Sequence, residues 1–542
     1  MKGKNSLFFL LKKNSLLLFV FSITFIVGLP SLFVPWSFID DGYNHIEAQK
    51  MTGLLKEKGL LSFLDYASRA PIGHGRFMPF YFIFHWVRLT VSGKNYALCH
   101  FIHIILFTFT VFFIFKTVDT LTHSSLKSFL SSVFFILSAI NIENIYRLGP
   151  QEPFLAFLLS ASLFFLFRKK MLLSLFFNIL LFLTKETSIV IVPFTFVLYT
   201  LSIFTRKNKE EKRYFLKYFI FNLFFGVVAT FFILRAKERY INAYSGGYQF
   251  NPDILFRHFF IYLKIFFDYY NLLLLITFGL FFYRILSALK KREFLKDYYP
   301  QLVFLIIFGF YLVILLPWKV VLTRYLLPAM IGFSIFMGIE TGETLNLLRR
   351  LEIKEKLSIL NRKFVILFKY FFVFLLFLTL SFHLLIIKNH IGVTVTQHNK
   401  EMIKFLSTLP KNSQVFLNFK KIEDTVEYFY EIPLHLSFFY NRNDLKFSYL
   451  DLGRQKFKKG DYIVSGDIFP RYSEEEISTL SGIIKIKNFS HKPAEVVICP
   501  PSCIIKKTIF NFPTIIFKPR FFLSSLYSFS RLNFYWNIYG LK

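Results

Sequence analysis

The chain has 542 residues, 54% of them hydrophobic and 20% aromatic, and carries a formal charge of +32. Such a charge would suit nucleic acid, but the basic residues are not gathered into one aromatic-interleaved patch; they fall in short clusters between long apolar runs, which excludes that class of partner. Several apolar runs approach or exceed the roughly 20 residues that cross a bilayer, so the chain reads as an α-helical polytopic membrane protein.

The N-terminus is basic (Lys2, Lys4, Lys12, Lys13), and an apolar run follows over 15–35. It is longer than a signal-peptide core and no small-x-small site follows it, so it reads as an uncleaved first helix. About eleven spans are expected, starting near Ser15, Tyr96, Leu126, Gln151, Met171, Ser188, Phe215, Phe259, Pro300, Tyr325 and Phe364. The run between Lys170 and Lys185 is short for a core of roughly 30 Å, so it tilts or opens onto a watery cavity.

With the N-terminus inside, the alternate loops hold Lys116 and Lys127, Arg168-Lys169-Lys170, the cluster from Arg206 to Lys217, Lys290-Lys291-Arg292, and the segment from Arg349 to Lys363. Every dense basic cluster between spans falls on one side, as the positive-inside rule expects. The expected arrangement is a multi-pass protein of the cytoplasmic (inner) membrane, residues 1–387, with an extracytoplasmic domain over 388–542.

Two polar regions stand out. The first, over 36–95, is rich in aromatics, and its segment 77–89 is amphipathic enough to lie on the membrane surface. The second alternates strand-like runs (414–419, 462–465, 496–499) with helix-like ones (401–406, 425–430), which predicts a small C-terminal α/β domain. Its Phe-rich basic tail, 506–542, is expected on anionic lipid. Cys499 and Cys503 either form a disulfide or remain thiols, and Cys99 reads as a core residue. Asn251-Pro252-Asp253, with Gly246-Gly247 before it, marks an outer loop.

The ends of the spans carry the chemistry. Asp40 and Asp41 follow the first span, Arg76 lies in the same loop, and Gln151-Glu152-Pro153 precedes the fourth span. Lys185-Glu186 and Arg324-Tyr325 stand at two further span ends, all assigned to the outer side. Carboxylates beside Arg and Lys at a lipid–water boundary suit a substrate with a phosphate and a hydroxyl to be activated. Arg324 would grip phosphate oxygens in a fork, Lys185 would act as a point charge, and an Asp would take the acceptor's proton. Each has a plainer reading: a solvated turn or cap at Asp40-Asp41, a helix start at Glu152-Pro153, a local ion pair at Lys185-Glu186, a snorkelling Arg324. His45, His74 and His85 lack the tight spacing of a metal site and read as loop residues.

These residues resemble the GT-C glycosyltransferases, membrane enzymes that use polyprenyl-phosphate sugars, and within them the branch of protein O-mannosyltransferases and lipid A aminoarabinose transferases. The resemblance covers about residues 15–345 and rests on five elements in order: Asp40-Asp41-Gly42-Tyr43 with Ala48, Gly75 to Pro79, Glu152-Pro153, Lys185-Glu186, and Arg324 to Pro328. It implies an inverting transferase in which Asp40 or Asp41 is the base, and Arg324, Lys185 and Arg76 meet the donor phosphate, with Glu152, Glu186 and Tyr325 supporting. The implied partners are a polyprenyl-phosphate sugar donor, an extracytoplasmic acceptor and membrane lipid. No soluble cofactor is required; a divalent ion between Asp41 and Glu152 is the alternative. The competing function is a transporter or flippase of a lipid-linked saccharide, although no duplicated halves are seen; a non-catalytic scaffold is the third.

Overall fold

The computed structural model describes residues 2–34, 41–69, 77–205, 208–238, 250–288, 294–318, 323–353, 359–394, 398–418, 423–466, 471–490, 494–497, 529–532 and 535–541. In chain order the helices are α1 (Lys2–Gly28), α2 (Asp41–Arg69), α3 (Pro79–Ser92), α4 (Tyr96–Thr122), α5 (Ser125–Ile136), α6 (Ile142–Tyr146), α7 (Glu152–Phe167), α8 (Met171–Phe182) and α9 (Ile191–Phe204). They continue as α10 (Lys209–Glu238), α11 (Pro252–Ala288), α12 (Phe294–Asp297), α13 (Tyr299–Leu315), α14 (Leu327–Ile353) and α15 (Ile359–Thr394). The C-terminal part contributes α16 (His398–Ser407), β1 (Gln414–Leu417), α17 (Glu423–Tyr440), β2 (Lys446–Tyr449), β3 (Tyr462–Gly466), α18 (Glu474–Ser478), β4 (Ile483–Ser490), β5 (Ala494–Val497), β6 (Phe529–Leu532) and β7 (Tyr535–Leu541).

Each of the eleven apolar runs is helical, so the chain is a polytopic helical membrane protein with a small C-terminal sheet. Among the described residues, six helices are long and apolar enough to cross alone, or seven if α11, bent by 106° near Tyr270, counts as one. The other four runs form helices of 12, 16, 12 and 17 residues (α5, α7, α8, α13). At 1.5 Å per residue these reach only about 18–26 Å, short of a core of roughly 30 Å. The difference from eleven full crossings has a local cause: α5 ends at Ile136 and the chain passes through a 3-10 turn (Ala139–Asn141) and α6, while α8 ends at Phe182 ahead of Lys185.

α14 is the central pillar. Of its most apolar 18 residues 94% are buried, against 22% in α10 and 17% in α15, which face outward. Its Gly338 lies directly on the backbone of Ser131 in α5, where a Cβ would overlap Ser131 N and Cα. Elsewhere the interior is tied by hydroxyls and amides rather than charges: Asn178 Nδ2 donates to Tyr218 Oη (2.7 Å) and to Asn222 Oδ1 (2.7 Å), and Ser162 Oγ donates to Asn178 Oδ1 (2.5 Å), binding α7, α8 and α10. Such bonds satisfy polar groups that lipid cannot.

At one end of the bundle Lys127 pairs with Glu343, Arg284 with Glu340, and Lys169 with Glu211 (2.8 Å). At the other end α2 and α3 form a polar hairpin, in which Trp86 Nε1 donates to Thr52 Oγ1 (3.0 Å). Gly59, at φ +80°, breaks α2, and Gly93, at φ +56°, ends α3 where a side chain would be strained. α3 is amphipathic as expected, burying Tyr81, Phe82, His85, Arg88, Leu89 and Ser92. His45 and His85 correct the loop reading: both are buried on helices, with ring centroids 6.2 Å apart. Cys99 is a buried core thiol, as expected, 2.7 Å from Ser92 Oγ.

The C-terminal sheet runs β2-β1-β3-β7-β4, with β1 parallel to β2 and β3, and β7 antiparallel to β3 and β4; β5 and β6 form a separate antiparallel pair. Within the tail, β7 differs from the lipid-surface expectation: it is a central strand with Ile538 fully buried, so 535–541 belong to the sheet. Residues 506–528 of that tail lie outside the described residues. Pro252 opens α11, with Asn251 Oδ1 accepting from Asp253 N (2.9 Å). Gly246, Gly247, His74, Cys499 and Cys503 lie outside the described residues. This unit rests on the polar hairpin: α17 packs on α2, with the Phe438 ring 4.4 Å from His45.

The Gly338 contact predicts a specific cost. Gly338→Ala must push α5 off α14, and overpacking of this kind destabilises by about 1–3 kcal/mol. The midpoint of thermal unfolding in detergent is expected to drop for Gly338→Ala and to stay unchanged for Gly279→Ala, where a Cβ meets nothing within 4 Å.

Candidate functional site

The site is built from turns where helices end. Glu152 is the first residue of α7, with Pro153 behind it, where a missing N–H costs nothing and the helix N-terminus favours a carboxylate. Lys185 follows the short α8, in extended backbone (φ −159°, ψ 141°), and leads into a 3-10 turn, Glu186–Val190. Arg324 and Tyr325 lie in the 3-10 turn that opens α14.

These turns meet. Lys185 Nζ forms an ion pair with Glu152, and both side chains are almost fully buried, 6% and 3% exposed. The ammonium also lies 4.5 Å from the centroid of the Tyr325 ring, whose face attracts a cation, and the Arg324 guanidinium stands 5.4 Å from the same ring. Lys185 and Arg324 both act electrostatically on Glu152. Lys185 therefore pairs with α7, and Glu186 is half-buried at the start of its turn.

Residues outside the expected set hold this arrangement. Asn144 Nδ2 donates to the carbonyl of Arg324 (2.9 Å), and the carbonyl of Asn144 accepts from His103 Nε2 (2.7 Å). Tyr146 Oη donates to Val27 O (2.6 Å), fixing the α6 turn to the end of α1. Trp318 meets Tyr325 edge-on at 6.1 Å, and His258 Nδ1 donates to Leu316 O (2.9 Å). The Tyr262 hydroxyl is buried beside Tyr325 with no hydrogen-bond partner among the described residues. The signal for Asn144 was present in the chain: 141–151 is a polar island (Asn141, Asn144, Arg147, Gln151) between two apolar runs.

The expected acids are placed in part. Asp41 begins α2, and Asn44, one turn on, donates to Tyr81 Oη (3.3 Å), which donates to Gly149 O (2.5 Å) in the turn before Glu152. The start of α2 thus adjoins the Glu152 turn. Asp40, Arg76 and the side chain of Asp41 lie outside the described residues. Among the described residues no group of three or more His, Cys, Asp or Glu is arranged to hold a metal ion, and Glu152, considered for one with Asp41, is engaged by Lys185.

An apolar groove of about 630 Å3 lies between α9, α10 and the end of α13, lined by Ile189, Val190, Pro193, Gly226, Val313 and Pro317 among others. In the chain, Ile189 follows Lys185 by four residues and Pro317 precedes Trp318. Gly226 permits the depth, since a Cβ there would overlap Val192.

Removing one member of the pair is expected to hurt more than removing both. Glu152→Gln strands a buried ammonium, at a cost of roughly 3–5 kcal/mol, whereas adding Lys185→Met in the same chain removes that charge as well. Thermal unfolding of E152Q, K185M and the double variant checks this: E152Q/K185M is expected to melt above E152Q.

No protein-family model matches the chain, and no curated protein matches it in sequence. Among solved structures, ArnT from Cupriavidus metallidurans bound to undecaprenyl phosphate is similar at 12% identity and a TM-score of 0.49, covering 88% of this chain and 96% of that one. The same protein in the apo state gives 11% identity and a TM-score of 0.47 over the same shares. Likeness of this degree assigns neither a reaction nor a ligand to this chain.

Proposed function

We propose that the protein is a membrane glycosyltransferase that takes a sugar from a polyprenyl-phosphate donor and passes it to an extracytoplasmic acceptor. The observation that carries this reading is the presence of two unlike surfaces close together in the chain: a buried cationic cluster (Lys185, Arg324, Tyr325, Glu152) and an apolar groove of about 630 Å3 whose lining begins at Ile189, four residues after Lys185. A ligand that fills both has a phosphate head and a long hydrocarbon tail. The groove takes the tail, and the cations take the phosphate.

The chemistry follows from that placement. Lys185, buried and paired, supplies a point charge, and Arg324 supplies donors in a fork. Both stabilise the negative charge that builds on the phosphate as the bond to the anomeric carbon breaks, and burial makes that stabilisation strong. Glu152 holds Lys185 in place between ligands. Asp40 or Asp41 removes the acceptor's proton as its oxygen or nitrogen attacks from the opposite face, which inverts the anomeric centre. Arg76, in the same loop, adds to the phosphate contacts, and the acceptor enters from the non-cytoplasmic side, beneath the C-terminal unit. The N-terminus lies inside the cell.

The test is release of free polyprenyl phosphate from lipid-linked hexoses and pentoses in proteoliposomes holding the full chain. Asp40→Asn or Asp41→Asn, whichever removes the base, is expected to lower turnover by about 10²–10⁴-fold, and Arg324→Gln by about 10²-fold. Full activity in both Asn variants eliminates the assigned base. Movement of intact donor across the bilayer without release would make the protein a flippase.

A further inference from the structure

The two turns that present Glu152 and Lys185 stand at the open end of the α7–α8 hairpin, and a separate helix grips both. At the N-terminal end of α3, Phe80 N donates to Leu183 O (2.9 Å), two residues before Lys185. From its buried face, Tyr81 Oη donates to Gly149 O (2.5 Å) and Arg88 Nη2 donates to Leu148 O (2.9 Å). Gln151 Nε2 donates back to Met78 Sδ (2.8 Å), at the α3 cap. Phe84 then stacks on Phe154, centroids 4.1 Å apart, fixing α3 to the first turn of α7.

Arg88 is the unusual member. It is 3% exposed and no carboxylate among the described residues pairs with it; its described partners are a carbonyl, the His85 ring (Nη2 to Nδ1, 2.6 Å) and the face of Phe84. Burial, with Arg88 alongside, pushes His85 well below the usual histidine range, so the ring stays neutral and accepts at Nδ1. A buried guanidinium spent on a backbone carbonyl is costly, and an apolar residue would serve packing better. What it supplies is position: a charge-assisted bond to a carbonyl fixes the turn more rigidly than apolar contact does.

We infer that α3 is a strap that registers the 148–151 turn against the Thr184-Lys185 turn, with Tyr81 and Arg88 as positioning residues for the Glu152–Lys185 pair. The ligand whose phosphate this spacing serves rests on the donor reading above; the strap itself does not.

The experiment uses the full chain in lipid nanodiscs, with Tyr81→Phe, Arg88→Met, Arg88→Lys and the exposed control Val91→Ala. The first readout is affinity for undecaprenyl phosphate. Tyr81→Phe and Arg88→Met are expected to weaken it about tenfold, since small misplacements of a site are expensive, with Arg88→Lys recovering part and Val91→Ala unchanged. Equal affinity in all variants overturns the strap. The second readout needs no ligand: the thermal midpoint of Y81F/E152Q and R88M/E152Q against the single changes. A combined shift smaller than the sum supports coupling through the strap, and additive shifts overturn it. If Arg88→Met does not accumulate in membranes, the Tyr81→Phe pair carries both readouts. Wild type that fails to bind undecaprenyl phosphate counts against the donor reading alone, and the second readout then decides the strap.

Discussion

A buried ion pair between two helix ends organises one end of this protein. Lys185 cannot reach bulk water from a position 6% exposed, and Glu152 is no better placed. Each charge would be costly without the other. The pair therefore dictates that the end of α8 and the start of α7 lie side by side, although α7 and α8 are joined at their opposite ends. Short helices make this workable. Twelve residues of α8 cannot cross a bilayer, so its C-terminal turn stops within the protein, where its polar groups need partners. Lys185, and Leu183 through its carbonyl, find them in α7 and α3.

The remaining contacts keep that pair aligned with the cation it shares a ring with. Arg324 and Tyr325 stand at the head of α14, the most enclosed helix, so their position is set by the whole bundle. The contact of Gly338 with Ser131 fixes the depth of α14 against α5, and the chain leaving α5 supplies Asn144, which holds the carbonyl of Arg324. Packing in mid-membrane and geometry at the site are thus one problem. The opposite end of the bundle is built on different lines: Lys127–Glu343 and Arg284–Glu340 join helices directly.

Much of this was legible in the chain, and the parts that were not share a physical reason. Apolar runs specify helices because lipid leaves the backbone no other way to satisfy its hydrogen bonds; each run is helical. Glu152, Lys185, Arg324 and Tyr325 were recognisable because ionisable residues at span ends are expensive to keep. Length was misjudged where a run continues but its helix stops: Leu137, Ala139 and Ile140 prolong the apolar run of α5, yet the helix ends at Ile136 in a turn before the polar island. The burial of His45 depends on α17, and the strap role of α3 on a turn some 60 residues away, Arg88 to Leu148 being the clearest case. Periodicity along α3 revealed a buried face without revealing what it is buried against. Among the described strands, β1, β3 and β5 were read from the alternation of strand-like and helix-like runs; β2, β4, β6 and β7 were missed, β7 because its central place depends on pairing with β3 and β4, on both sides.

The C-terminal unit bears on the site through the same helix that carries Asp41. Phe438 of α17 packs against His45, one turn into α2, and Lys94 at the foot of α4 reaches the carbonyl of Phe439 (3.5 Å) and the ring of Phe438 (5.3 Å). Lys400, in α16, lies over the Tyr96 ring at 5.2 Å, so two helices of the unit hold α2 and the foot of α4 at separate points. A helix that starts at a loop would ordinarily fray in its first turn, where its N–H groups lack partners. Here that first turn is gripped from one side by Tyr81, through Asn44, and from the other by α17. Fraying at Asp41 would break contacts in both, so the orientation of that carboxylate-bearing turn is fixed by two bodies distant in sequence. A unit that does this is part of the site's scaffold, and removing it would loosen the hairpin before it altered any ligand contact.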